Sequence, residues 1–154
     1  MKKPEHHQKL RNILRNSRHG VLSTCGNRRP YASLMAIAVL DDLSGIIMAT
    51  DRHTRKFDNL VELPWAALLM DNRDRESPES GRGFALTAEG RVTVPSGGQE
   101  VGYKEMLANA HPRLSGFLEN ESTAVLLLQV EQYVLVEDFG IVTTIAMKRQ
   151  TQEE

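Results

Sequence analysis

The sequence predicts a mainly β fold, an antiparallel closed or half-closed barrel of six to seven strands with peripheral helices. Three observations predict it. Short runs of β-branched and apolar residues recur along the chain, separated by turn-forming Gly, Asn, Asp and Pro. Helical spacing of apolar residues is confined to three stretches. The long alternation of strand and helix expected of a doubly wound sheet is missing, and so is any G-x-G-x-x-G or P-loop spacing.

The elements follow in order. Leu10, Ile13 and Leu14 share one helical face, with Pro4 suited to the first turn and Gly20 to the stop, so residues 1–19 form an N-terminal helix. Arg11, Arg15 and Arg18 fall on its solvent side near the C-terminal end, where cations complement the helix dipole. Residues 21–25, 31–40 and 46–50 read as three strands of an antiparallel meander. They are joined by a turn over 26–30 and by a second turn carrying Asp41 and Asp42. Residues 54–63 form one short helix, with Thr54 as N-cap, Phe57, Leu60 and Val61 on one face and Pro64 as the stop. Residues 65–71 and 84–94 are the next strands, separated by a polar loop over 72–83, and Gly90 marks a bulge. Residues 97–120 are helical with a restart at Pro112. Residues 123–136 and 141–147 are the last strands, and 148–154 is a frayed tail. The whole of 1–154 reads as a single domain without internal repeat or linker.

Composition removes several functions. A chain of 154 residues with 40% apolar and 25% charged residues is an ordinary globular domain that needs no disulfide or structural metal. Its 19 basic residues balance 20 acidic ones, which excludes a dedicated nucleic-acid binder. One cysteine, Cys25, excludes a disulfide scaffold and reads as a buried free thiol. The longest apolar stretches fall short of the ~18 residues that span a bilayer, so no membrane partner is expected. The basic N-terminus has no apolar run behind it, which predicts a cytoplasmic protein.

Few residues are candidates for chemistry. His6, His7, His19, His53 and His111 have no partners at metal-ligand spacing and read by default as solvated. Asp41 and Asp42 read as a solvated turn rather than a carboxylate pair. The informative segment is residues 49–57, where a strand ends at Thr50 and a helix opens near Thr54. Arg52, Arg55 and Lys56 crowd that opening. Cations at a helix N-terminus oppose the dipole and cost stability unless an anion sits there. A phosphate resolves the conflict, bound by backbone N–H groups, the Thr54 hydroxyl and the Arg55 and Lys56 side chains.

This stretch belongs to a longer pattern. Pro30-Tyr31-Ala32-Ser33-Leu34-Met35, Ile46-Ile47-Met48-Ala49-Thr50, Thr54-Arg55-Lys56, Ala66-Ala67-Leu68-Leu69-Met70 and Phe84-Ala85-Leu86-Thr87-Ala88-Glu89-Gly90 follow in order. In order and gaps the chain resembles the pyridoxamine 5′-phosphate oxidase-like FMN-binding split β-barrels, from about Leu10 to Ile145. The resemblance implies that Ser33, Leu34, Met35 and Ala36 line the isoalloxazine ring, largely through backbone groups. It implies that Ala49 and Thr50 lie beside the ribityl chain, that Thr54, Arg55 and Lys56 hold the FMN phosphate, and that the protein is a homodimer. The expected function is an FMN-dependent oxidoreductase with a small-molecule electron donor or acceptor and no metal. A non-catalytic FMN module, acting as store, electron carrier or sensor, is the alternative. His111-Pro112 and Phe139-Gly140 also resemble elements of haem-utilisation relatives.

Departures from the family are specific. Where the named oxidases place a glutamine before the Glu-Gly pair, this chain has Ala85. Where they place a substrate-side lysine, the nearest position is Ala38, and no Arg-x-His segment follows Ile141. The cofactor phosphate site is kept and the family's substrate phosphate site is not, so turnover of pyridoxamine 5′-phosphate is not expected.

Overall fold

The computed structural model describes residues 3–72, 83–138 and 140–148. Helix α1 (Lys3–Asn16) leads into β1 (His19–Gly26), β2 (Arg29–Ala36), β3 (Ala38–Val39) and β4 (Gly45–Asp51). Helix α2 (Arg55–Glu62) precedes β5 (Trp65–Asp71) and β6 (Phe84–Thr93). Helix α3 (Gly97–Ala110), a 3-10 turn (Pro112–Leu114) and α4 (Ser115–Glu119) come before β7 (Thr123–Glu137) and β8 (Ile141–Ala146).

The strands form one antiparallel sheet in the order β2-β1-β5-β6-β7-β4-β3, with β8 on the free side of β7's second half. Its two edges, β2 and β3, are one stretch of chain broken only at Ile37, so the sheet curls back on itself as a split barrel. The interior holds Leu22, Met48, Leu68, Leu86, Leu126, Leu128 and Tyr133, and α1 adds Leu10, Ile13 and Leu14 to the same cluster. A second cluster lies outside the barrel, where Leu107 of α3 and Leu118 of α4 cover Ile47, Val125 and Leu127. Residues 45–48 of β4 and 123–128 of β7 are therefore buried on both faces, which is why they read as continuous rather than alternating apolar runs.

Three local features refine the sequence expectations. The first hairpin loop is only Asn27 and Arg28, both at positive φ (50° and 60°), the two-residue turn whose twist matches the strands. The expected 31–40 strand is interrupted at Ile37, whose N–H donates to Arg18 O (3.0 Å) and whose carbonyl accepts from His111 Nε2 (2.9 Å). His111 is thus buried and bonded rather than solvated; the hydrophobic pattern of its neighbours gives no sign of this contact across 74 positions. The bulge expected at Gly90 is present, with its extra residue on the partner strand: Glu89 and Gly90 pair with Gln132 and Val130, so the inserted residue is Glu131 of β7. The bulk of the expected loop (residues 73–82), Phe139 and the tail 149–154 lie outside the described residues.

The turn between β3 and β4 is fixed from inside the barrel. Leu43 is buried at φ 65°, and its carbonyl accepts the Tyr133 hydroxyl at 2.7 Å. Burial, and then the Asp42 carboxylate, push the Tyr133 phenol far above its ordinary range, so it acts only as a neutral donor. Tyr133→Phe strands that carbonyl and is expected to cost about 1–3 kcal/mol. Urea unfolding measures it, and an unchanged midpoint would contradict the assignment.

Candidate functional site

The split in the barrel is the site's framework. β2 pairs with β1, and β4 pairs with β3 only at Ile46 and Ile47. Beyond Ile47, residues 48–51 of β4 pair with β7 alone. β2 and the end of β4 thus diverge from the corner at Ile37, each with an unpaired edge facing the gap, and α2 starts where β4 ends.

The turn from β4 into α2 is tightly bonded. Asp51 Oδ1 accepts from the His53 N–H (2.7 Å) and Nδ1 (2.9 Å), and its Oδ2 accepts from Ser122 Oγ (2.7 Å). These bonds, Ser122's first and the His53 amide's next, hold the Asp51 carboxyl below the usual carboxylate range. Because the folded value is depressed, the stability it contributes is present above about pH 4 and is lost as pH falls through that lowered value. A side-chain ¹³C titration is expected to place the Asp51 midpoint below about 3.9, and an ordinary or raised midpoint would contradict the bonding.

Thr54 caps α2 as expected. Its Oγ1 donates to Asp51 O (2.8 Å), accepts from the Phe57 N–H (3.4 Å) and lies 3.0 Å from Thr50 Oγ1. The Arg55 and Lys56 N–H groups open the helix without intrahelical acceptors. The Arg55 guanidinium lies over the Tyr31 ring, 4.4 Å from its centroid, so a cation at the start of α2 reaches β2 across the mouth of the split. Neither Arg55 nor Lys56 has a carboxylate partner among the described residues. Two cations without carboxylate partners and two amides without intrahelical acceptors, with the Thr50 and Thr54 hydroxyls bracing the turn beside them, give the described residues here the donor set of a phosphate monoester.

The remaining predicted residues separate by face. Ser33 points inward from β2, and its Oγ is buried without a hydrogen-bond partner among the described residues. An orphaned hydroxyl on the wall of the split fits a polar ligand. Met35 is part of the barrel core, whereas Leu34 is 73% exposed on the opposite face with Ala36. Ala49 packs toward the α3–α4 cluster, so its contribution to the split is its backbone edge. Thr50 and Thr54 meet at the start of α2, where Arg55 and Lys56 follow in sequence, and Ser33 lies on β2 with Tyr31, the ring under Arg55.

Sequence reasoning missed Tyr31, Asp51 and Ser122. Tyr31 was available from alternation, since it shares the inward face of Ser33. Ser122, 71 positions from Asp51, gave no signal. Among the described residues no cluster of His, Cys, Asp and Glu is arranged to hold a metal.

Comparison with known proteins places the fold. The family model for pyridoxamine 5′-phosphate oxidase matches residues 6–136. No curated protein sequence matches the chain. Among solved structures, a heme binding protein from Mycobacterium smegmatis superposes with TM-score 0.82 at 18% identity, covering 95% of this chain. The chain spans only 60% of that protein's length. A protein related to general stress protein 26, of the pyridoxinephosphate oxidase family, from Clostridium acetobutylicum superposes with TM-score 0.71 at 15% identity, covering 95% of this chain and 97% of that one. HutZ, the heme storage protein from Vibrio cholerae, superposes with TM-score 0.64 at 18% identity, covering 87% and 92%.

Proposed function

The chain belongs to the pyridoxamine 5′-phosphate oxidase family, and from that premise we propose that it is an FMN-binding oxidoreductase acting on a small molecule as a homodimer. The observation that carries the reading is the cationic turn at the start of α2, without carboxylate partners among the described residues and set at the mouth of the split. Thr54, Arg55, Lys56 and the opening amides of α2 hold the phosphate in this reading. Ser33 and the open edges of β2 and β4 face the rest of the cofactor. When bound, FMN supplies the redox chemistry, and the protein supplies position, electrostatics and access. The named oxidase reaction is not part of the proposal, because Ala38 and Ala85 stand where that chemistry uses polar side chains.

The visible spectrum of the purified protein tests the reading. Oxidised-flavin bands are expected, and a colourless protein that stays colourless after incubation with FMN would contradict it. Consumption of NADH or NADPH with a dye or oxygen as acceptor then separates an enzyme from a non-catalytic flavin module.

Haem binding is the second reading, favoured by similar structures named for haem. His111, the sequence candidate, is buried with Nε2 bonded to Ile37 O. A Soret band on adding haemin, without flavin uptake, would favour it.

The homodimer has its own support. Val21 pairs with both Leu34 and Leu69, so an apolar row runs across β2, β1 and β5 with Leu34 and Leu69 at 73% and 38% exposure. Ile141 and Val142 of β8 are 60% and 62% exposed. Exposed apolar rows of this kind mark interfaces. Equilibrium sedimentation is expected to give twice the chain's 17.3 kDa. A monomer throughout the micromolar range would count against it.

A further inference from the structure

We propose that the cleft between α1 and the β2–β3 corner is a binding site for a small oxyanion, a carboxylate or phosphate group, held by Arg11, Arg15 and Arg18. The cleft encloses about 310 Å³, and its walls include Ala38 on one side and the three arginines on the other. That volume is at the small end of ligand pockets, enough for a compact acid.

The arginines arrive by a route the sequence does not suggest. Helical spacing alone puts them in solvent, complementing the dipole at the end of α1. In the structure two of them are held over the corner by backbone carbonyls. Arg11 Nη1 donates to Asp41 O (2.7 Å), and Arg18 Nη2 donates to Ala110 O (2.8 Å). Each bond occupies one of the five donors of a guanidinium, so both side chains are preorganised and still have donors to offer. Arg15 lies between them in sequence and has no partner among the described residues. Asp41 is the one acidic residue lining the cleft, and the contact it makes with Arg11 is through its backbone carbonyl. Complementing a helix dipole explains cations on the last turn; it does not explain three converging on one cleft, two tied to other elements.

The position gives the site a role that rests on the flavin reading. Ala38 is two residues along the chain from Ala36, across the break at Ile37 and so at most about 7 Å from it, next to the strand assigned to the isoalloxazine ring. An acid bound in the cleft would be held at the edge of that ring, as a second substrate must be. Cations absent from the strand at Ala38 are then supplied by α1 and the two-residue link that follows it. Lys104 of α3 is instead paired with Glu100 at 3.1 Å.

The test reads the arginines directly. The protein, saturated with FMN, is titrated with inorganic phosphate and in a second arm with acetate, following backbone and arginine Nε resonances by ¹⁵N NMR. Saturable shifts at Arg11, Arg15 and Arg18, with Arg55 and Lys56 unmoved, are expected in at least one arm. Arg15→Gln, checked for an unchanged melting temperature, is expected to weaken that binding roughly tenfold to a hundredfold, the loss of one charge-assisted contact. Shifts confined to Arg55 and Lys56, no saturable shifts in either arm, or wild-type affinity in Arg15→Gln would overturn the proposal. If the protein takes up no FMN and phosphate or acetate still moves the α1 arginines, the oxyanion site stands and the flavin reading falls.

Discussion

Replacing Arg55 and Lys56 together with Ala is expected to weaken FMN binding by on the order of a hundredfold or more and to leave the fold intact. Each charge-assisted hydrogen bond to a phosphate is worth roughly 1.5–3 kcal/mol. Two such losses exceed the ~2.8 kcal/mol that corresponds to a factor of one hundred. The folded state loses little, because neither cation is in an ion pair among the described residues. Its main loss is the Arg55–Tyr31 contact, worth about 0.5–1 kcal/mol at an exposed site. Removing two cations from the start of α2 returns part of that, since they oppose the helix dipole. The double variant should therefore purify colourless, with wild-type far-ultraviolet circular dichroism and a melting temperature close to the parent's. Retained flavin occupancy would mean that the phosphate lies elsewhere.

The largest expected effect on stability comes from Gly90→Ala. A Cβ at Gly90 would lie 1.9 Å from Gln129 O and 3.1 Å from Val130 Cα, both main-chain atoms of the neighbouring strand. No rotamer change relieves a clash with backbone. The β6–β7 pairing must open locally at the bulge, in the middle of the barrel wall. Overpacking of this kind costs up to about 3 kcal/mol, and with β-ladder bonds lost as well the upper end is expected. For a domain of this size that corresponds to a fall of roughly 6–12 °C in melting temperature. Gly26→Ala is the informative comparison, because the atom it meets at 1.9 Å is Asn59 Oδ1, on a side chain. That variant should cost less, since Asn59 can turn away at the expense of its bond to Thr24 Oγ1 (3.1 Å). A melting temperature within 2 °C of wild type for Gly90→Ala would contradict the close approach.

What the sequence revealed and what it hid divide along contact range. The Thr54 cap and the Pro64 stop depend on one to four neighbouring residues, and both are present; Gly90 marked the place of a bulge whose extra residue lies on β7. The cationic turn was visible for the same reason: Arg55 and Lys56 are adjacent, and the strand end and helix start bracket them. Which of Ser33, Leu34, Met35 and Ala36 faces inward was not visible, because apolar residues occupy both faces of β2. One is needed in the core and the other lies on an exposed row. Contacts between distant positions left no trace. His111 breaks the second strand from 74 positions away, Ser122 braces Asp51 from 71, and Arg18 reaches Ala110 across 92. Each is a single polar group meeting a backbone or side-chain partner, without the periodicity that makes a core face legible.

The central claim is that the phosphate of FMN is held at the start of α2, and comparing FMN with riboflavin tests it most directly. The two share the ring and the ribityl chain and differ only in the phosphate. Titrating the flavin-free protein with each, by quenching of flavin fluorescence, isolates the contribution of Thr54, Arg55, Lys56 and the α2 amides. FMN is expected to bind at least about a hundredfold more tightly, with that advantage lost in the Arg55→Ala, Lys56→Ala double variant. Equal affinity for the two, or an FMN preference that survives the double substitution, would contradict the account.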